Sequence, residues 1–228
     1  MPEKVVFIHT VASLISLFND LGREYFPAGT ELVHIADEIL LKEVLAKGGP
    51  TPFIYRRVTE HALAASEIGA SLIQVTCSSI SPCVETAQSC IDFPILRIDA
   101  PMVQKAVSSG RRIGILATAV TTLTPTTELV RQTARQSGKE VEILSLLCEG
   151  AYAALLQGDI RLHDQIVLDY LHRMQEEVDI ILMAQASMAR VIASLPAGEQ
   201  NVPVLTSPRL AVQYAAGLLA KGEPVAAF

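Results

Sequence analysis

EIGASLIQVTCSS (residues 67–79) and EEVDIILMAQASM (residues 176–188) share one pattern: the acidic end of a helix, an apolar run of strand length, then small polar residues. The second copy starts 109 residues after the first, at 176 against 67. Working outward, KVVFIHT from Lys4 and RIGILAT from Arg112 repeat at 108. FPILRIDAP from Phe93 and VPVLTSP from Val202 repeat at 109, the later copy two residues shorter. Three matches at nearly one spacing describe two similar halves, and an internal repeat governs how the rest of a chain is read.

Within each half, short apolar runs alternate with longer segments of helical period, the pattern of parallel strands joined by crossover helices. Strands are predicted at Val5 to His9, Glu31 to Ile35, Leu72 to Thr76 and Ile95 to Ile98, then at Ile113 to Ala117, Val141 to Leu146, Ile180 to Met183 and Val204 to Thr206. The fold class expected is α/β: two pseudo-symmetric, doubly wound parallel-sheet domains with a ligand cleft between them. The first is expected to hold residues 1–99 plus 208–228 and the second residues 100–207, the final helix from Pro208 returning to the first half. Ser81 before Pro82, Thr124 before Pro125 and Ser207 before Pro208 each read as a capping hydroxyl ahead of a first-turn proline. GlyGlyPro at 48–50, SerGly at 137–138 and ProAlaGly at 196–198 punctuate the elements.

Half of the 228 residues are apolar, which supports a sizeable core. Eighteen basic against 24 acidic residues give a net charge of -6, spread without blocks. That distribution argues against nucleic acid or an anionic membrane as partner and points to a small molecule. His9 interrupts the apolar run EKVVFIHTVASLISLF, and Asp179, Gln185 and Arg190 interrupt the one from Val178 to Ala197, so neither a signal peptide nor a spanning helix is expected. The protein reads as cytoplasmic, and its four cysteines as reduced. No CxxC and no nearby His pair is present, so no metal is expected. Cys83 and Cys90 read as small core residues on one face of a helix, and Cys148 as core filler.

Ligands of open parallel sheets gather at the carboxyl ends of the strands. Here those ends hold His9 and Thr10, Ala36 and Asp37, Cys77 with Ser78 and Ser79, Thr118 with Thr121 and Thr122, Glu149, and Ala186 with Ser187. Hydroxyl-rich loops leading into helices suit a carboxylate, whereas no glycine-rich phosphate loop is present. Cys77 ends a buried strand just before a predicted helix, a position that favours a thiolate. Elsewhere His34 reads as a surface imidazole, Asp37 as a helix cap, and His61, His163 and His172 as solvated helical residues. Arg97 and Asp99 read equally as an ion pair bracing the junction of the halves or as substrate contacts. Glu149 either selects an amino group or begins the next helix.

The doubled pattern, VTCSS, ILATAVTTLT and AQASMARV together resemble the aspartate/glutamate/hydantoin racemase superfamily over essentially the whole chain. The resemblance implies that two domains enclose a small carboxylate without any cofactor. It also implies two cysteines on opposite sides of the substrate Cα, one removing the proton and the other returning it. Cys77 matches the first. His9, Thr10, Ser78, Ser79, Thr118, Thr121, Thr122, Ala186 and Ser187 fall where the family binds substrate. Carrying the offset of 109 from Cys77 reaches Ala186, which holds no proton. A cofactor-independent racemase or isomerase acting at the α-carbon of a small carboxylate or amino acid is therefore expected, with Cys77 as acid/base. Ser187, Thr118 and Thr122 are the candidates for the second face. A one-base decarboxylase of a malonate-type acid and a non-catalytic carboxylate-binding protein are the alternatives, and a cysteine hydrolase would require His9 beside the thiol. The resemblance allows a homodimer.

Overall fold

The computed structural model describes residues 2–195 and 198–221. Pro196 and Ala197 of the ProAlaGly punctuation lie outside the described residues. Eight strands are present among them: β1 (Lys4–His9), β2 (Glu31–Ala36), β3 (Leu72–Val75), β4 (Ile95–Arg97), β5 (Arg112–Ala117), β6 (Glu142–Leu147), β7 (Ile180–Met183) and β8 (Val204–Thr206). They form two parallel sheets of identical plan, β2-β1-β3-β4 and β6-β5-β7-β8. Contacts divide the chain into two units, one holding residues up to Ala100 and from Pro208 onward, the other Pro101–Ser207.

In the first unit β1 is covered on both faces, which is why its sequence is a continuous apolar run. Val6 and Ile8 pack with Leu40 and Val44 of α2 (Glu38–Lys47) and with Ile54, Val58, Ala62 and Ala65 of α3 (Pro52–Glu67). Phe7, pointing the other way, meets Phe18 of α1 (Ile15–Tyr25) at 5.3 Å between ring centroids. A short helix, α4 (Val84–Gln88), comes after β3, and α5 (Ala100–Ser109) leads the chain onward. The second unit repeats the scheme with α6 (Val120–Gln136), α7 (Ala151–Leu156), α8 (Ile160–Met174) and α9 (Ala189–Ala193), while α10 (Ser207–Lys221) comes after β8. Val167, Leu171 and Met174 of α8 close over Leu116, Ile181 and Met183. There Gly114 of β5 admits the helix closely: a Cβ at this position would stand 2.4 Å from Met174 Sδ and 3.2 Å from Val178 Cγ2. Gly114→Ala is accordingly expected to cost about 1–3 kcal/mol by overpacking, read as a lower midpoint of urea unfolding. An unchanged midpoint would show that α8 yields freely.

Each unit is tied internally at equivalent points, and those ties give the true correspondence between the halves. Lys4 N–H donates to Ser71 Oγ at 3.3 Å, and Arg112 N–H to Asp179 Oδ2 at 2.8 Å. Ser71 N–H returns to Lys4 O as Asp179 N–H returns to Arg112 O, and Thr76 N–H reaches Ile8 O as Ala184 N–H reaches Leu116 O. Every one of these pairs is displaced by 108 residues. The connection from α8 to β7 (residues 175–179) is one residue longer than that from α3 to β3 (residues 68–71). Matching Glu67 to Glu176 therefore placed the offset one residue too far along β7.

All three hydroxyl–proline caps are corrected. α6 begins five residues before Pro125, which sits inside the helix, because Thr122 and Leu123 N–H both close on Ala119 O directly after β5. Ser81 Oγ donates back to Cys77 O at 3.2 Å instead of capping, and residues Ser81–Cys83 form a 3-10 turn. Ser207 Oγ is buried without a partner. Cys83 is buried as expected, but α4 ends at Gln88 and leaves Cys90 exposed beyond it. Asp37 does cap α2, accepting from Ile39 N–H at 3.2 Å. It also holds Arg57 Nε at 2.6 Å and His61 Nε2 at 2.8 Å, so His61 is half-buried rather than solvated. His163 is likewise fully buried, whereas His172 is exposed and lies 3.5 Å from Glu199.

Candidate active site

In the first unit the chain leaves β3 through Thr76 and turns at Cys77. Ile80 N–H and Ser81 Oγ, each at 3.2 Å, both donate to Cys77 O, so the backbone carrying the thiol is held twice. Cys77 is half-buried, and its Sγ has no hydrogen-bond partner among the described residues. The helix expected beside it is only a 3-10 turn and the five residues of α4, too short to supply a strong dipole. Cys83 and Cys148 are sealed in the two cores, where burial pushes both thiols up to about 12, so neither ionises near neutral pH. Cys90 is exposed beyond the end of α4.

His9 behaves differently from a ligand-binding residue. Thr76 Oγ1 donates to Ile8 O at 3.0 Å and so accepts from His9 Nδ1 at 2.9 Å. That assignment leaves His9 Nε2 to accept from His34 Nδ1, also at 2.9 Å. Both nitrogens of this fully buried ring are taken. His9 therefore braces the ends of β1, β2 and β3 and is unavailable as the imidazole of a cysteine hydrolase. His34, expected at the surface, stacks on Phe7 and His9 at 5.2 Å each.

Burial, then the facing His34, lowers the His9 pKa from 6.5 to about 4; burial also lowers that of His34. A neutral His9 contributes its full stability above about pH 6.5. Between that value and about pH 4 the unfolded chain takes up the proton first, so stability falls as pH falls. The loss approaches about 3 kcal/mol. Urea unfolding across this range is expected to show that slope, and His9→Gln to flatten it. An equal slope in the variant would assign the acid sensitivity elsewhere.

Thr10, Ser78 and Ser79 are buried at the same strand ends, and Thr118, Thr121 and Thr122 at those of the second unit. Ser78, Ser79, Thr121 and Thr122 already engage protein groups. Ala186 and Ser187 are half-buried, and Glu149 is exposed. Arg190 Nη1 holds Ser187 O at 3.3 Å, while its Nη2 pairs with Asp164, to which His163 Nδ1 is also bonded at 2.7 Å.

The residue missed by sequence reasoning is Gln185. Met188 N–H closes on Gln185 O as Ile80 N–H closes on Cys77 O, again 108 apart. The position equivalent to Cys77 is thus Gln185, and Ala186 corresponds to Ser78. Gln185 has extended backbone, φ −119° and ψ 139°, and its side chain reaches the end of β5. There Oε1 accepts from both Thr118 N–H and Thr118 Oγ1–H, the latter at 2.9 Å. A backbone N–H can only donate, so the amide orientation is set and Nε2 points away from Thr118.

A cavity of about 610 Å³ in the second unit, lined by Arg111, Arg131, Arg135, Lys139 and Glu142 among others, lies at the amino ends of β5 and β6, remote from these strand ends. Among the described residues no cluster of three or more His, Cys, Asp or Glu is placed to hold a metal ion. No helix there is long and apolar enough to cross a membrane.

Two four-stranded parallel sheets of identical plan with flanking helices define a duplicated α/β protein, with a thiol at one strand end. The profile of the Asp/Glu/Hydantoin racemase family matches residues 48–215, and the chain belongs to that family. Membership supports a racemase- or isomerase-type enzyme. No curated protein sequence matches the chain. Among solved structures it is similar to an allantoin racemase from Klebsiella pneumoniae, with 18% identity, TM-score 0.71, and coverage of 98% of this chain and 90% of that one. It is also similar to a glutamate racemase from Francisella tularensis in complex with D-glutamate, with 14% identity, TM-score 0.71, and coverage of 97% and 81%. A Picrophilus torridus aspartate racemase aligns at 14% identity, TM-score 0.70, over 98% and 96%. At these identities the likeness establishes the fold.

Proposed function

We propose that this chain is a cofactor-independent isomerase of racemase type, acting at the α-carbon of a small carboxylate or amino acid with the Cys77 thiol as acid/base. The contrast among the four thiols carries the reading: Cys83 and Cys148 are sealed, Cys90 lies beyond α4, and Cys77 is reachable at a strand end with its sulfur unpartnered. As thiolate, Cys77 removes the α-proton, and the electron pair delocalises into the carboxylate as an enediolate. The thiol so formed returns the proton to carbon. Thr10, Ser78 and Ser79, at the same strand ends as Cys77, are the hydroxyl-bearing residues proposed to bind the carboxylate. An amide at position 185 neither takes nor gives a proton near neutral pH, so inversion draws on a hydroxyl or water. Thr118 already commits its O–H to Gln185.

Gln185 also favours a second reading. With one thiol, loss of CO2 from a malonate-type acid would leave an enediolate that Cys77 protonates. Incubation in D2O with amino acids, hydantoins and malonates separates the two. Deuterium at Cα with loss of optical activity supports the isomerase, and CO2 release from a malonate supports the decarboxylase. Tight binding with neither would sink both and leave a carboxylate-binding protein.

A further inference from the structure

At equivalent positions the two units present different chemistry: a thiol at 77 and an amide at 185. The link between adjacent strand ends differs in the same way. In the first unit His9 and Thr76 spend their polar groups on one another and on neighbouring protein atoms. In the second, Thr118 and Gln185 make the link through Oε1 alone. Gln185 is half-buried, and no described residue accepts from its Nε2. Two N–H donors are therefore held in a fixed direction beside the half-buried Ala186, whose methyl group offers no competing polar atom. Thr118, Thr121, Thr122 and Ser187 around this strand end are neutral, and the Arg190 guanidinium that holds Ser187 O at 3.3 Å is paired with Asp164, so an anion there would be held chiefly by dipoles.

We infer that Gln185 is a substrate-binding residue whose Nε2 donates to a carboxylate oxygen of the substrate, holding the group into which charge moves when the α-proton leaves. This rests on reading the strand ends as the active site.

Calorimetric titration with D- and L-glutamate, D- and L-aspartate, malonate and neutral 5-methylhydantoin tests it. Gln185→Glu keeps an acceptor for both Thr118 donors but removes the N–H groups. It is expected to weaken the best-bound carboxylate by about 10- to 100-fold while the melting temperature holds. Gln185→Leu is expected to lose both affinity and melting temperature. A purely structural Gln185 would show affinity unchanged in Gln185→Glu, and that result overturns the inference. So does a loss confined to 5-methylhydantoin, or a wild-type protein that binds none of these probes. Weakened binding in Gln185→Glu together with absent α-exchange in the wild type would uphold this inference while removing the isomerase reading.

Discussion

Replacing Cys77 with serine lowers α-hydrogen exchange into solvent by about 10²- to 10⁴-fold, the range a positioned acid/base contributes, and leaves the unfolding midpoint near that of the wild type. The substitution is nearly isosteric. Cys77 is half-buried, and its sulfur makes no hydrogen bond among the described residues whose loss would be felt. A serine hydroxyl has too high an intrinsic pKa to serve as a ready base without activation, and both nitrogens of the neighbouring His9 are committed elsewhere. Cys83→Ser and Cys148→Ser give the opposite signature. Each introduces a hydroxyl into an apolar cluster, costing about 1–3 kcal/mol if it finds no partner, without altering exchange by the folded fraction. The readout is deuterium at Cα by NMR, with urea unfolding of each variant in parallel. Wild-type exchange in Cys77→Ser would remove the thiol from the chemistry.

The largest expected loss of stability lies where the chain passes from one unit to the other. Arg97 closes β4, and Asp99 directly precedes α5. The guanidinium donates to both carboxylate oxygens, Nε to Oδ1 at 3.0 Å and Nη2 to Oδ2 at 3.1 Å. Asp99 is fully buried and Arg97 nearly so. Taking Asp99 away leaves the buried guanidinium without its hydrogen-bonded carboxylate and with only the charge of Glu85 acting on it, and Asp99→Ala is expected to lose about 3–5 kcal/mol. Replacing both partners, Arg97→Met with Asp99→Leu, is expected to recover most of that loss, since a buried ion pair does little better than apolar groups of similar volume. Chemical unfolding of the single and double variants measures the difference. A single variant as stable as the wild type would mean that water reaches the guanidinium once the carboxylate is gone.

Much of the fold was legible because buried parallel strands must be short, apolar and regularly spaced. Ile180–Met183 and Val204–Thr206 coincide with their expected bounds, and the other six strands differ at an end by one residue or, for β6, are shifted by one. Helix boundaries were less legible. Pro125 looked like a first-turn proline, yet α6 was already closed onto Ala119 by contacts at the end of β5. Polar side chains were least legible, because their partners are distant in sequence. His61 finds Asp37 across 24 residues, His9 finds Thr76 across 67, and Gln185 finds Thr118 across the same span. Polarity alone assigned His61 and His163 to solvent, and packing buried His163 fully and His61 in part.

The amino-acid sequence by itself determined that the chain is written twice, that each half winds a parallel sheet, and that a thiol ends the third strand. Local hydrophobic pattern suffices for that, since burial on both faces demands it. Only the tertiary structure decided which residue answers Cys77 in the second half. The sequence offered both 108, from the strand starts Leu72 and Ile180, and 109, from the helix ends before them; hydrogen bonds between β5 and β7 count the register residue by residue, and they select 108 and with it Gln185.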